Sequence, residues 1–276
     1  MHCLVFSKVF KDQSVPAMAK TVKAMGFNGV DLTVRGGGHV DTDVPDVAQR
    51  LREAVGAIRD TGLSMPLATT NITTVDDAAV ELFEACAEME IPFIKLGYPR
   101  WSGMGRYGED VDRARRDLDG LEKLAVRTGV CATLHNHSGS NFLYANPLTV
   151  YELIRDRDPA AIGWYMDAGH TVAEGMAGAW RHAIDFMGDR IALVGCKSYG
   201  FEPNREGGTM QPTWKRTARS LVEGAVPWQE LLSMLSQTGF DGPVTFHAEY
   251  PLAGEALLRQ VEADLQFFRS VAQAAS

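Results

Sequence analysis

Residues 128–137 read "TGVCATLHNH". A turn signal, Thr-Gly, leads into a short apolar run, and the run stops abruptly in polar side chains. If the run is a β-strand its side chains alternate faces, so His135 and His137 project one way and Asn136 the other. Metal ligands, catalytic bases and hydrogen-bonded structural histidines all fit so short a stretch. What decides is whether the unit recurs.

Eight short apolar runs can be read along the chain: "CLVF" (3–6), "GVDL" (29–32), "MPLAT" (65–69), "FIKL" (93–96), "CATL" (131–134), "IGWYM" (162–166), "IALVGC" (191–196) and "PVTFHA" (243–248). Amphipathic stretches separate them, among them 45–61, where Pro45 suits a first helical position, then 77–89 and 111–128. Turn signals such as "GFNG", "TGL" and "GFDG" stand just ahead of strands. Alternating strands and helices predict parallel β-strands with helical crossovers. Eight such units over 276 residues, with no linker between them, predict one domain, 1–276, of the α/β class: a single (β/α)8 TIM barrel. A doubly wound sheet would call for a nucleotide fingerprint, and "RGGGHV" (35–40) matches neither GxGxxG nor a P-loop. Those glycines are read as a turn after the second strand.

The bulk composition narrows the partners. Apolar residues make up 45% and charged residues 22%, a globular balance, and the formal net charge of −8 works against binding nucleic acid or an anionic membrane. The start lacks a signal-peptide pattern, and no run approaches the roughly 18 apolar residues of a membrane span. A cytoplasmic location is therefore expected. Cys3, Cys86, Cys131 and Cys196 form no CxxC pair and read as buried thiols.

In such a barrel the active site is expected at the C-terminal ends of the strands. Those ends carry Ser7 and Lys8; Asp31, Thr33, Arg35 and His39; Thr69, Thr70 and Asn71; Tyr98; His135 and His137; Asp167 and His170; Lys197; and His247 and Glu249. Five of the seven histidines fall in this set. Two or three imidazoles beside one or two carboxylates make a nitrogen and oxygen donor set suited to one divalent ion such as Zn, Mn, Mg or Co. Lys197 is open to three readings: a desolvated base, a Schiff-base amine, or an ion-pair partner of Asp167. Arg35 can clamp a carboxylate, phosphate or hydroxyl. Tyr98, Trp101 and Trp214 offer faces for a sugar ring. Ser7 has no nucleophile elbow around it, which excludes the usual serine hydrolase.

With "MGFNGVDL", "LHNH", "DAGHTVAEG", "VGCKS" and "GFDGPVTFHAEY" in place, the chain resembles the xylose-isomerase-like TIM barrels, the superfamily of sugar isomerases and sugar phosphate isomerase/epimerases. That resemblance implies a divalent metal held by residues on strands five to eight, and proton transfer beside a sugar carbonyl by two glutamates. Carried onto this chain, the implied ligand positions fall on His135, Asp167, Gly195 and His247. Thus His135, Asp167 and His247 are the expected ligands. Glu249, Lys197 and His137 are the expected catalytic groups, and Arg35, His39, Tyr98, Trp101 and His170 the expected substrate contacts.

Three functions follow as expectations. The first is isomerisation or epimerisation of a carbohydrate by proton abstraction next to a carbonyl, assisted by the metal. The second is β-elimination on a 3-oxo-glycoside, which needs one base only. The third is a non-catalytic sugar-binding or partner subunit, in which the loss of a ligand at Gly195 has removed the metal. A homo-oligomer or partner subunit is a further expectation. The 199–224 segment, long for a strand-to-helix connection, is expected to order fully only around substrate or a second subunit.

Overall fold

A computed structural model describes residues 1–175, 178–205, 211 and 213–275. Eight parallel strands close into a barrel: β1 (Cys3–Phe6), β2 (Gly29–Thr33), β3 (Ser64–Thr69), β4 (Phe93–Lys95), β5 (Cys131–His135), β6 (Ile162–Asp167), β7 (Ile191–Cys196) and, last in the ring, β10 (Val244–Phe246), which pairs with β1. The eight expected runs are these strands, with ends shifted by a residue or two. Between β7 and β10 the chain adds an antiparallel ribbon, β8 (Ser198–Asn204) and β9 (Thr213–Arg219). Much of the described part of the 199–224 segment is this ribbon. Residues 206–210 and 212, which the expected ordering of this segment includes, lie outside the described residues.

The outer layer comprises α1 (Val15–Ala24), α2 (Val47–Arg59), α3 (Asp77–Glu88), α4 (Tyr107–Thr128), α5 (Pro147–Ile154), α6 (Ala168–Glu174), α7 (Ala179–Met187), α8 (Trp228–Gln237) and α9 (Gly254–Ala275). Side-chain caps set several starts: Asp76 accepts from the Ala79 amide and Asn146 from the Leu148 amide, which satisfies otherwise unpaired first-turn donors. Pro45 falls two residues ahead of α2, so the expected proline at its first helical position is corrected; Pro147 occupies that place in α5. The apolar stripes of the helices pack on the outward residues of the strands in one continuous core. The four cysteines are free and buried. Among the described residues no helix is long and apolar enough to cross a membrane.

Alternation along the strands builds the site. Leu4, Leu67, Tyr165 and Leu193 meet inside the barrel, with Phe93 packed against them, and plug the lumen as barrel layers do. Two residues further along their strands the inward positions are Thr69, Lys95 and Asp167. They are joined by His135, Lys197 and His247. The floor is apolar and the mouth is polar because the sequence switches character at the last inward position of most strands; Phe6 on β1 stays apolar.

Candidate active site

Asp167 ends β6 and caps α6. Its Oδ1 accepts the His170 amide at 2.8 Å, which fixes the carboxylate and leaves Oδ2 facing the barrel axis. Three nitrogens surround Oδ2: Lys197 Nζ at 3.0 Å, His135 Nε2 at 3.2 Å and His247 Nδ1 at 3.6 Å. The two imidazoles are held from behind by phenols. Tyr98 Oη lies 2.9 Å from His135 Nδ1, and Tyr165 Oη lies 2.8 Å from His247 Nε2. Each ring thus turns its other nitrogen toward the same oxygen, the arrangement by which an outer shell orients ligands.

The electrostatics follow from burial and from this cluster. Asp167 is 0% exposed; burial pushes its carboxyl up, but Lys197, His170 and His135 together hold it well below the usual range. Lys197 shows the reverse balance. Burial favours its neutral form, yet Asp167, Tyr199 and Glu249 hold it above the ordinary lysine value. Its geometry is that of an ion-pair partner of Asp167, one of the three readings open to it. Glu249 continues the chain of charges, pairing with Lys197 at 3.3 Å and with Lys8 at 2.8 Å. Burial raises its pKa, and Lys197 with Lys8 pulls it down further than burial lifts it. Desolvation lowers His135 to about 3 and His137 to about 4, so both are neutral rings at physiological pH.

A cavity of about 110 Å³ opens above this cluster. Of the expected residues, Arg35, Tyr98, His135, His137, Lys197, His247 and Glu249 line it. Four others do not. Asp167 is 0% exposed and reaches the cavity only through its neighbours Lys197, His135 and His247. His39 spends both ring nitrogens on Thr33 Oγ1 and the Phe10 carbonyl and lines a neighbouring groove beside Gly36–Gly38. His170 is buried behind His137, with ring centroids 4.1 Å apart and its Nδ1 on Ser138 Oγ. Trp101 lies beyond the cavity, paired through its backbone with Asn141. Two polar lining residues escaped the sequence reading, Lys95 and Tyr165. The available signal was alternation: each is a polar-tipped residue at an inward position of an otherwise apolar strand.

The donor set has the spacing a divalent ion demands. Bonds of about 2 Å put neighbouring ligand atoms about 3 Å apart, and one atom each from His135, Asp167 and His247 lies within 4.8 Å of the others. His135 Nε2 and Asp167 Oδ2 are buried without a hydrogen-bond partner; Lys197 reaches the oxygen at ion-pair distance but off the hydrogen-bond direction. Three converging, orphaned or pre-oriented donors of the right chemistry fit an ion. At Gly195, the fourth implied position, an added Cβ would sit 3.0 Å from Asp167 Oδ2; the position faces the seat but offers no ligand.

The model of the xylose isomerase-like TIM barrel family matches residues 19–271. No curated protein matches the sequence. Among solved structures, the D-psicose 3-epimerase of Clostridium cellulolyticum H10, determined with D-tagatose, superposes with a TM-score of 0.73 at 14% identity, over 99% of each chain. The 3-keto-D-glucoside 4-epimerase of E. coli gives 0.72 at 15% identity, over 98% of this chain and 99% of that one. A xylose isomerase-like TIM barrel protein from Mycobacterium smegmatis, in complex with magnesium, gives 0.67 at 15% identity, over 96% and 92%. At these identities the structural likeness establishes the fold, and the family match carries the assignment: this chain belongs to the xylose isomerase-like TIM barrel family.

Proposed function

We propose that the protein is an isomerase or epimerase of a sugar or sugar derivative, working by proton abstraction next to a carbonyl. The observation that carries this reading is the cavity wall, where a fixed ammonium and two oriented imidazoles stand beside an ionised carboxylate, Glu249. Proton abstraction beside a carbonyl needs that pairing: a base for the carbon acid and preorganised positive charge for the oxygen that becomes an enediolate.

In this scheme the carbonyl oxygen lies on the Lys197 side of the cavity, where the ammonium donates to it. His135, Asp167 and His247 would hold the divalent ion, which when bound supplies Lewis-acid polarisation of the same oxygen. Glu249 takes the proton from the adjacent carbon. Its pairing with Lys8, a side chain 53% exposed, leaves the base ionised in the free protein; entry of substrate separates the pair and returns basicity to the carboxylate. Arg35 and Tyr98 line the walls and orient hydroxyls, and the closed floor of Leu4, Leu67, Tyr165 and Leu193 keeps bulk water out from below.

Incubation in D2O with D-psicose, D-fructose, D-tagatose and a 3-keto-D-glucoside should place deuterium on the carbon beside the carbonyl of at least one of them, with formation of its isomer. Glu249→Gln should lower the rate by about a hundredfold or more. Release of an aglycone from the 3-keto-glucoside without an epimer would mark the elimination reading instead. If no compound exchanges with folded protein, with or without added Mn or Zn, the proposal fails.

A further inference from the structure

Lys95, the last residue of β4, has no part in the scheme above. It is 2% exposed, and among the described residues its nitrogen has no carboxylate partner within ion-pair distance. Its neighbours are the Thr70 carbonyl at 3.4 Å and the face of the Tyr98 ring, 3.6 Å from the centroid. Yet it opens into the same 110 Å³ cavity as Glu249. A lysine so placed needs an explanation, because an ammonium removed from water without a counter-charge is costly.

Topology adds a second observation. The ring runs β1-β10-β7-β6-β5-β4-β3-β2, so β4 and β10 stand four places apart among eight strands. Lys95 and Glu249, which follows β10, therefore face one another across the mouth. Inverting a carbon beside a carbonyl requires a proton carrier on each face of it. Of the other amines and imidazoles on the wall, Lys197 is committed to Asp167 and Glu249, Lys8 to Glu249, His135 to Tyr98 and Asp167, His247 to Tyr165 and Asp167, and His137 to the Ser138 carbonyl with its ring against Phe142; the Arg35 guanidinium stays protonated and carries no proton to carbon.

We propose that Lys95 is the second acid–base group of the site, exchanging a proton with the face of the substrate carbon opposite Glu249. The inference rests on the epimerase form of the proposed function. In one direction Glu249 removes the proton, the C–H electron pair forms the enediolate double bond, and the carbonyl oxygen takes up the negative charge. The Lys95 ammonium then protonates the same carbon from the other side as the electron pair returns to the carbonyl. In the reverse direction the neutral amine removes that proton and protonated Glu249 returns one; solvent resets both groups. The environment suits an amine that works in both states. Burial, then the neighbouring charge of Arg35, lowers its pKa well below the ordinary lysine value against a partial pull from Asp31, while the Tyr98 face steadies the cation when it forms.

The test uses wild type, Lys95→Met and Glu249→Gln with the ketose panel in D2O. Lys95→Met removes the amine without leaving a buried charge, and its melting temperature reports folding. It should lose interconversion by about a hundredfold or more while still washing deuterium into one epimer, the one whose proton faces Glu249. Glu249→Gln should retain exchange in the other epimer alone. Interconversion by Lys95→Met within about tenfold of wild type overturns the proposal. A wild-type protein silent on the whole panel sinks the isomerase reading, and Lys95 is then judged without turnover, by competitive carbamylation with cyanate at pH 7. Lys95 should label about tenfold or more faster than the exposed Lys20, since each unit by which its pKa is lower raises the free-amine fraction about tenfold. Labelling no faster than Lys20 overturns the proposal.

Discussion

At the scale of single residues, Asp167 Oδ2 is the point on which the site turns. A carboxylate oxygen in a buried cluster needs positive charge, and this chain brings its own: Lys197 Nζ at 3.0 Å. The same oxygen belongs to the triad whose geometry fits a divalent ion. Two cations cannot share it cheaply, because unit charges about 4 Å apart repel by about 4 kcal/mol at an effective dielectric of about 20. A bound ion therefore weakens the Lys197–Asp167 pairing, while Glu249 at 3.3 Å keeps the ammonium on the cavity wall. Lys197→Met should bind Mn or Zn at least about tenfold more tightly than wild type, a modest share of that repulsion. Isothermal titration on purified, metal-stripped protein measures this directly. Equal affinities would show that the lysine and the ion do not compete, and no binding by either protein would remove the metal from the account.

At the scale of elements, the sequence was readable wherever period and punctuation agreed. All eight barrel strands were legible because parallel strands buried on both sides leave short apolar runs, and Thr-Gly or Phe-Asp-Gly turns mark their starts. The β8–β9 ribbon was not, since Ser198–Asn204 and Thr213–Arg219 are mostly polar and half exposed, and polar strands without apolar alternation read as loop. Lys95 was hidden for the opposite reason: it is a single charge inside the otherwise apolar run "FIKL", ahead of the polar strand end. A register constraint can be tested at Gly29, where β2 passes β3 through an irregularity in pairing. A Cβ there would lie 2.4 Å from the Ser64 carbonyl oxygen and 2.9 Å from Leu4, and backbone cannot move aside as a flexible side chain does. Gly29→Ala should cost about 1–3 kcal/mol or more, as overpacked cores do. Gly56, on α2 with open space around it, is the counterpart: Gly56→Ala should stabilise by about 0.5–1 kcal/mol through helix propensity. Urea denaturation of the two variants against wild type checks both signs.

At the scale of the whole molecule, one buried carboxylate ties together strands that are distant around the ring. Asp31 on β2 is 0% exposed and accepts from Thr69 of β3 at 2.5 Å, Tyr165 of β6 at 3.2 Å and Thr245 of β10 at 3.1 Å. Tyr165 reaches across the lumen to do so, and the same hydroxyl holds His247; the brace that closes the barrel thus also aims a candidate ligand. Polarity at the strand ends was visible in the sequence, but this division of labour was not, because Asp31 and Asp167 look alike as strand-end acids. Only the fold shows that one is surrounded by hydroxyls and the other by nitrogens. Hydroxyls left unpaired in a buried site cost about 1–3 kcal/mol each, so Asp31→Ala, which orphans the Thr69 and Thr245 hydroxyls and takes from Tyr165 one of its two partners, should destabilise by about 3 kcal/mol or more. Thr245→Val removes one donor and leaves the other two in place, and should cost about 1 kcal/mol. In urea melts Asp31→Ala should lower the midpoint severalfold more than Thr245→Val. If the two shifts are equal, the hydroxyls do not act through Asp31 as one brace, and the barrel mouth is held by strand pairing alone.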